Sequence, residues 1–89
     1  MDVNYVKNHV KEELDGAKDY VTKGINANDY DLIEMGIQEV KHAKYFLNKL
    51  QTMDPAQFSE TEKIYSDTIN FLTSQLTSYG EMNNARKQV

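Results

Sequence analysis

Val3, Val6, Val10, Leu14, Ala17, Val21 and Ile25 recur every three or four residues. That spacing puts them on one side of a helix with 3.6 residues per turn, and it is incompatible with the two-residue alternation of a half-buried strand. The chain has one proline and four glycines to interrupt such a pattern. The reading is therefore all-α, a single helical domain over residues 1–89, with helices expected at about 4–24, 29–51 and 55–80. The stretch KGINAND should end the first helix, with Gly24 and the asparagines supplying turn chemistry. Asn28 or Asp29 can cap the second, and Asp31 then sits in its first turn, where the helix dipole favours an acid. In TMDPAQF, Asp54 is an N-cap and Pro55 a first helical residue, a strong start signal. The third helix should carry Phe58, Tyr65, Ile69, Leu72, Leu76 and Tyr79 inward and stop near Gly80.

Composition removes several functions. Without cysteine there are no disulfides, thiolate metal sites or cysteine nucleophiles. Fourteen acidic against ten basic residues give a net charge of −4. The lysines are spread through all three segments instead of forming a stripe, which argues against a nucleic-acid surface. MDVNYVKNHV lacks the basic start and apolar core of a signal peptide, and no apolar run approaches the roughly 18 residues of a membrane span. The expected location is the cytoplasm. At 89 residues the chain is near the lower size for burying an adequate core unaided, so oligomerisation would help it. No Gly-rich loop between strand and helix is present to cradle phosphate, and no serine has a recognisable catalytic context. Two histidines are too few for a hemerythrin-like site.

One motif stands out from the apolar pattern. In EVKHA, Glu39 and His42 are three residues apart and project from the same side of the second helix. A short connection makes helices one and two antiparallel neighbours. With the turn near Asn26, Glu13 and Glu39 are equally far from it and should share one level, with His42 close in height to Val10 and His9. At about 100° per residue, Glu39 lies some tens of degrees from the centre of the apolar face formed by Leu32, Ile33, Gly36, Val40, Ala43, Phe46, Leu47 and Leu50. It should point inward, with His42 at the edge of that face. A carboxylate held away from water needs a counter-charge, a proton or a cation. Lys41, Lys44, Tyr45 and His9 are ordinary candidates for that partner, and a divalent metal bound by Glu13, Glu39 and His42 is the functional one.

ELDGAKDY, with Glu13, Ala17 and Tyr20 at i, i+4 and i+7, followed by EVKHA, resembles the first half of a ferritin-like di-iron protein of the rubrerythrin and bacterioferritin type. The resemblance covers about residues 5–50. It implies Glu13 as a terminal carboxylate ligand, Glu39 as a bridging carboxylate and His42 as an imidazole ligand. Tyr20 would be a catalytic neighbour, acting as a hydrogen-bond partner or local electron donor. The second half is missing: the third helix has no Glu-x-x-His, and Glu60 and Glu62 lie near its start. The resemblance then implies a half-bundle completed by a homodimer, similar to the encapsulated ferritins, although ARKQV does not look like a shell-targeting tail. Iron is the implied metal, with manganese or zinc as alternatives that carboxylates and imidazole also suit. The implied activity is ferroxidase- or peroxidase-like, with electrons supplied from outside the chain, which lacks rubredoxin-like cysteines. The rival reading is a metal-free helical scaffold or protein-interaction domain, with Met35 and Met53 as flexible core fillers.

Overall fold

In the computed structural model, which describes the backbone of residues 2–87 and the side chains of residues 2–78, the chain turns back at Asn28. That residue has φ 53° and ψ 41°. Its N–H donates to the carbonyl of Ile25 at 3.2 Å, and the next N–H, of Asp29, donates to Gly24 at 2.8 Å. This pair of bonds closes a helix end with a left-handed residue, a conformation asparagine tolerates better than most. Asp29 then begins the following helix by accepting from the N–H groups of Asp31 and Leu32. Only two residues therefore separate α1 (Val3–Ala27) from α2 (Tyr30–Met53).

This geometry corrects the expected turn. Gly24 does not break α1; the helix runs through it and three residues further. A Cβ at Gly24 would lie 2.6 Å from Cγ1 of Ile33 and 2.9 Å from its backbone nitrogen, so this glycine serves the close approach of the two helices. Gly36 does the same from α2, where a Cβ would meet Cγ2 of Val21 at 2.5 Å. With the pivot at Asn28–Asp29 instead of Asn26, the pairing of α1 with α2 slides by about one helical turn. Ile25, placed in the apolar stripe by its spacing, is 43% exposed in the last turn of α1.

The third helix also departs from expectation. It is divided at Tyr65 into α3 (Pro55–Ile64) and α4 (Ser66–Lys87), so the described residues form four helices, and α4 continues through Gly80 instead of stopping there. Tyr79 lies outside the residues whose side chains are described. The entry to α3 is as read from the sequence: the Asp54 side chain accepts from the N–H of Gln57, with Pro55 in the first helical position. Tyr65 has φ −99° and ψ 13°, between helical and turn geometry, and its carbonyl still accepts from Ile69 at 2.9 Å. The bend redirects the chain from α2, against which α3 packs, toward α1, against which α4 packs.

The core is the inner side of the α1–α2 hairpin closed by α4. Val10, Leu14, Ala17, Val21, Ala43 and Leu72 are buried, with Val40, Phe46, Leu47, Tyr65, Ile69 and Leu76 packed around them. Val6, Leu50 and Thr61 are fully buried as well. Lys7 donates to the Gln57 side chain at 2.9 Å, joining α1 to α3, and Lys18 lies over the Phe71 ring, joining α1 to α4. Among the described residues no helix is long and apolar enough to cross a membrane.

Candidate metal centre

Glu13, Glu39 and His42 come together on one flank of the hairpin, each offering a ligand atom within 4.8 Å of the others'. The corrected register sets which residue opposes which. Glu13 faces His42, with Oε2 at 3.6 Å from Nδ1. Glu39 reaches across α1 near Gly16, where an added Cβ would be 3.8 Å from its Oε2. His9 lies opposite Phe46, the ring centroids 4.5 Å apart and the planes only 16° from parallel. Helix register brings these residues to one level, and the length of the glutamate side chains closes the remaining distance.

Burial is graded across the cluster. The Glu13 side chain is 16% exposed and that of His42 60%, while Glu39 is half-buried. Glu39 is thus only partly turned inward, short of the buried position the helix angles predict, and His42 sits at the rim. The Glu39 carboxyl is held above its ordinary value of 4.5, first by its hydrogen bond with Glu13, then by burial and by repulsion from the Glu13 charge; His42 pulls the other way. Two carboxylates this close favour sharing one proton over carrying two charges. A divalent cation meets the same demand without the proton.

The ordinary partners for Glu39 are not used. Among the described residues neither carboxylate pairs with a lysine: the ion pairs of Glu13 are with His9 and His42, and the one lysine pair is Lys23 with Asp19. Lys41 and Lys44 are exposed. Tyr45 is 53% exposed, edge-on to the Phe46 ring and beneath the ammonium of Lys49. Tyr20 is half-buried on α1, one turn past Gly16 and about 10 Å along the axis from Glu13. No hydrogen bond ties its hydroxyl to the three cluster residues.

The sequence placed His9 at the level of His42. In the structure His9 instead sits beside Glu13, one turn away on the same helix, with Nδ1 3.7 Å from Glu13 Oε1. The signal was present as His9 and Glu13 at i and i+4.

The cluster lies on the uncovered side of the hairpin. Lys7 and Lys18, which hold α3 and α4, are each about 120–140° around α1 from Glu13. On the cluster's side Tyr5 is 50% and Met35 45% exposed.

An all-α bundle with a carboxylate–histidine cluster between its first two helices is thus the class of protein that fold and site define. No protein-family model, curated protein or solved structure matches the chain.

Proposed function

We propose that this chain is a carboxylate–histidine metal-binding protein of ferritin-like design, in which two copies pair through the uncovered face of the hairpin. The convergence of Glu13, Glu39 and His42 ligand atoms within 4.8 Å carries this reading. The raised affinity of Glu39 for a proton supports it, because a site that holds a proton between two carboxylates also favours a cation there. The partly exposed Tyr5 and Met35 beside the cluster support the pairing, since a second hairpin laid there would cover them and bring two sets of ligands together.

In such a dimer Glu13, Glu39 and His42 of each protomer would hold one ion. Oxygen and nitrogen donors without sulfur suit Fe(II), with Mn(II) and Zn(II) as alternatives. Fe(II) held there would supply electrons to oxygen or peroxide by going to Fe(III), a ferroxidase- or peroxidase-like chemistry, with electrons returned from outside the chain. Tyr20, about 10 Å along α1 from Glu13, would act on this reading as a local one-electron donor and not as a ligand. The site lies in a reducing, cytoplasmic setting on this reading.

Metal analysis of protein purified without a histidine tag, together with its mass in solution, tests the reading. The expected result is two ions per dimer, lost on Glu39→Ala. A folded protein that contains no metal and refuses added Fe(II) would overturn it and leave a helical scaffold.

A further inference from the structure

α4 packs against α1 and stands off α2, leaving a groove between α2 and α4. Its floor belongs to the core and is formed by Leu14, Ala43 and Leu72, all buried. Leu47 of α2 and Ile69 and Leu76 of α4 form its walls, each only partly covered. The groove holds about 280 Å³. One turn of an α-helix, about 10 Å across and 5.4 Å high, fills about 420 Å³, so a partner helix does not seat in it. A dry apolar cavity of about 150 Å³ takes benzene, and by that measure the groove takes an unbranched chain of about eight to ten carbons.

The mouth of the groove is polar and of one sign. Lys44 of α2 and Thr73 and Thr77 of α4 line it, all three exposed. No acidic side chain is present there, in a chain whose acids outnumber its bases by fourteen to ten. Among the described residues Lys44 makes no ion pair or hydrogen bond, whereas Lys7, Lys18, Lys23 and Lys49 each engage a neighbour. Thr73 and Thr77 are one turn apart and project from the same side of α4. Thr52 donates its hydroxyl to the Asn48 carbonyl at 3.2 Å, but neither groove threonine is bonded in this way among the described residues. An ammonium and two hydroxyl donors beside an apolar slot suit the oxygens of a carboxylate, and the single cation matches one negative charge.

We propose that this groove binds a short aliphatic carboxylate, its chain along Leu47, Ile69 and Leu76 and its head at Lys44, Thr73 and Thr77. An apolar cleft with a few convergent polar groups is the usual form of a small-molecule site. Each CH₂ taken from water raises affinity about 4-fold, so binding should strengthen with chain length until the groove is filled and then level off. The site is independent of the metal-binding reading and stands or falls without it.

The test is calorimetric titration of the full chain, without metal, with hexanoate, octanoate, decanoate and dodecanoate, and with decanol as the uncharged control, each below its micelle concentration. Methyl NMR places the chain, and Lys44→Met, at an exposed position, removes the charge while keeping a flexible unbranched side chain. The expected result is one decanoate per chain, bound about 10-fold more tightly than octanoate, with dodecanoate no tighter and with shifts at the Leu47, Ile69 and Leu76 methyls. Lys44→Met should weaken decanoate by about 5-fold, the upper size of an exposed ion pair, and leave decanol unchanged. Absence of saturable binding, or shifts led by the exposed Met35 and Ile64 methyls, would overturn the site. Equal binding of decanoate by the natural chain and Lys44→Met would overturn recognition of a carboxylate. A dimer that decanoate dissociates, read from mass in solution, would place a second copy's side chains in the groove and overturn the proposal.

Discussion

Gly36→Ala should destabilise the protein even though alanine is the better helix former. In the middle of α2 the replacement gains about 1 kcal/mol of intrinsic helix propensity. The new Cβ, however, would stand 2.5 Å from Cγ2 of Val21, with the Ala17 carbonyl oxygen at 3.3 Å and the Val21 nitrogen at 3.4 Å. Carbon atoms in contact prefer about 3.5–4.0 Å, so the Val21 methyl must retreat by about 1 Å. It has little room, because Val21 is fully buried and its branched side chain has few rotamers. Backbone atoms behind it block a simple slide, so α2 must lift from α1. Overpacking of this kind costs about 2–3 kcal/mol at the upper part of its usual range, leaving a net loss of about 1–2 kcal/mol. For a domain of this size that lowers Tm by about 5–15 °C. Gly16→Ala is the matched control: its Cβ would meet only Oε2 of Glu39, at 3.8 Å, so it keeps the propensity gain and should raise Tm by several degrees. Urea unfolding of both variants without metal measures the two signs. A Gly36→Ala protein as stable as the natural one would refute the close packing of α1 on α2, and with it the register that assembles the cluster.

Two further outcomes follow from individual side chains. Glu39 has a raised folded-state pKa, so its contribution is fully present below the unfolded carboxylate pKa and is lost as pH rises through the folded value. In metal-free protein Glu39→Gln should therefore match the natural chain near pH 4 and exceed it in stability at neutral pH; equal pH profiles in chemical denaturation would contradict the shared-proton account. Thr61 is 2% exposed and its hydroxyl oxygen has no hydrogen-bond partner, so Thr61→Val should stabilise by about 1 kcal/mol, visible as a higher urea midpoint, and a loss would show that the hydroxyl is satisfied.

The helices and the cluster residues were legible in the sequence for the same reason: both depend on periodicity. Valines at three- and four-residue spacing define α1, and Glu39 with His42 share a face of α2 whatever the turn does. The level of one helix against the other was less accessible. Gly24 reads as a breaker by type, yet its use is to admit Ile33, a contact that exists only once the helices are packed. Moving the turn to Asn28 puts His42, not Glu39, directly opposite Glu13. The cluster survives because residues three apart lie about one turn apart, and both remain within reach of a glutamate side chain. The bend at Tyr65 has no proline or glycine to announce it. It answers to tertiary packing, since α3 lies mainly against α2 while α4 turns to close the core against α1.

Anaerobic titration of the metal-free protein with Fe(II), beside Glu39→Ala, tests the proposed metal site most directly. The natural protein should saturate at one ion per chain and the variant should take up iron only weakly, with circular dichroism showing both folded. No uptake by the folded natural protein, or equal uptake by the two, would contradict that site.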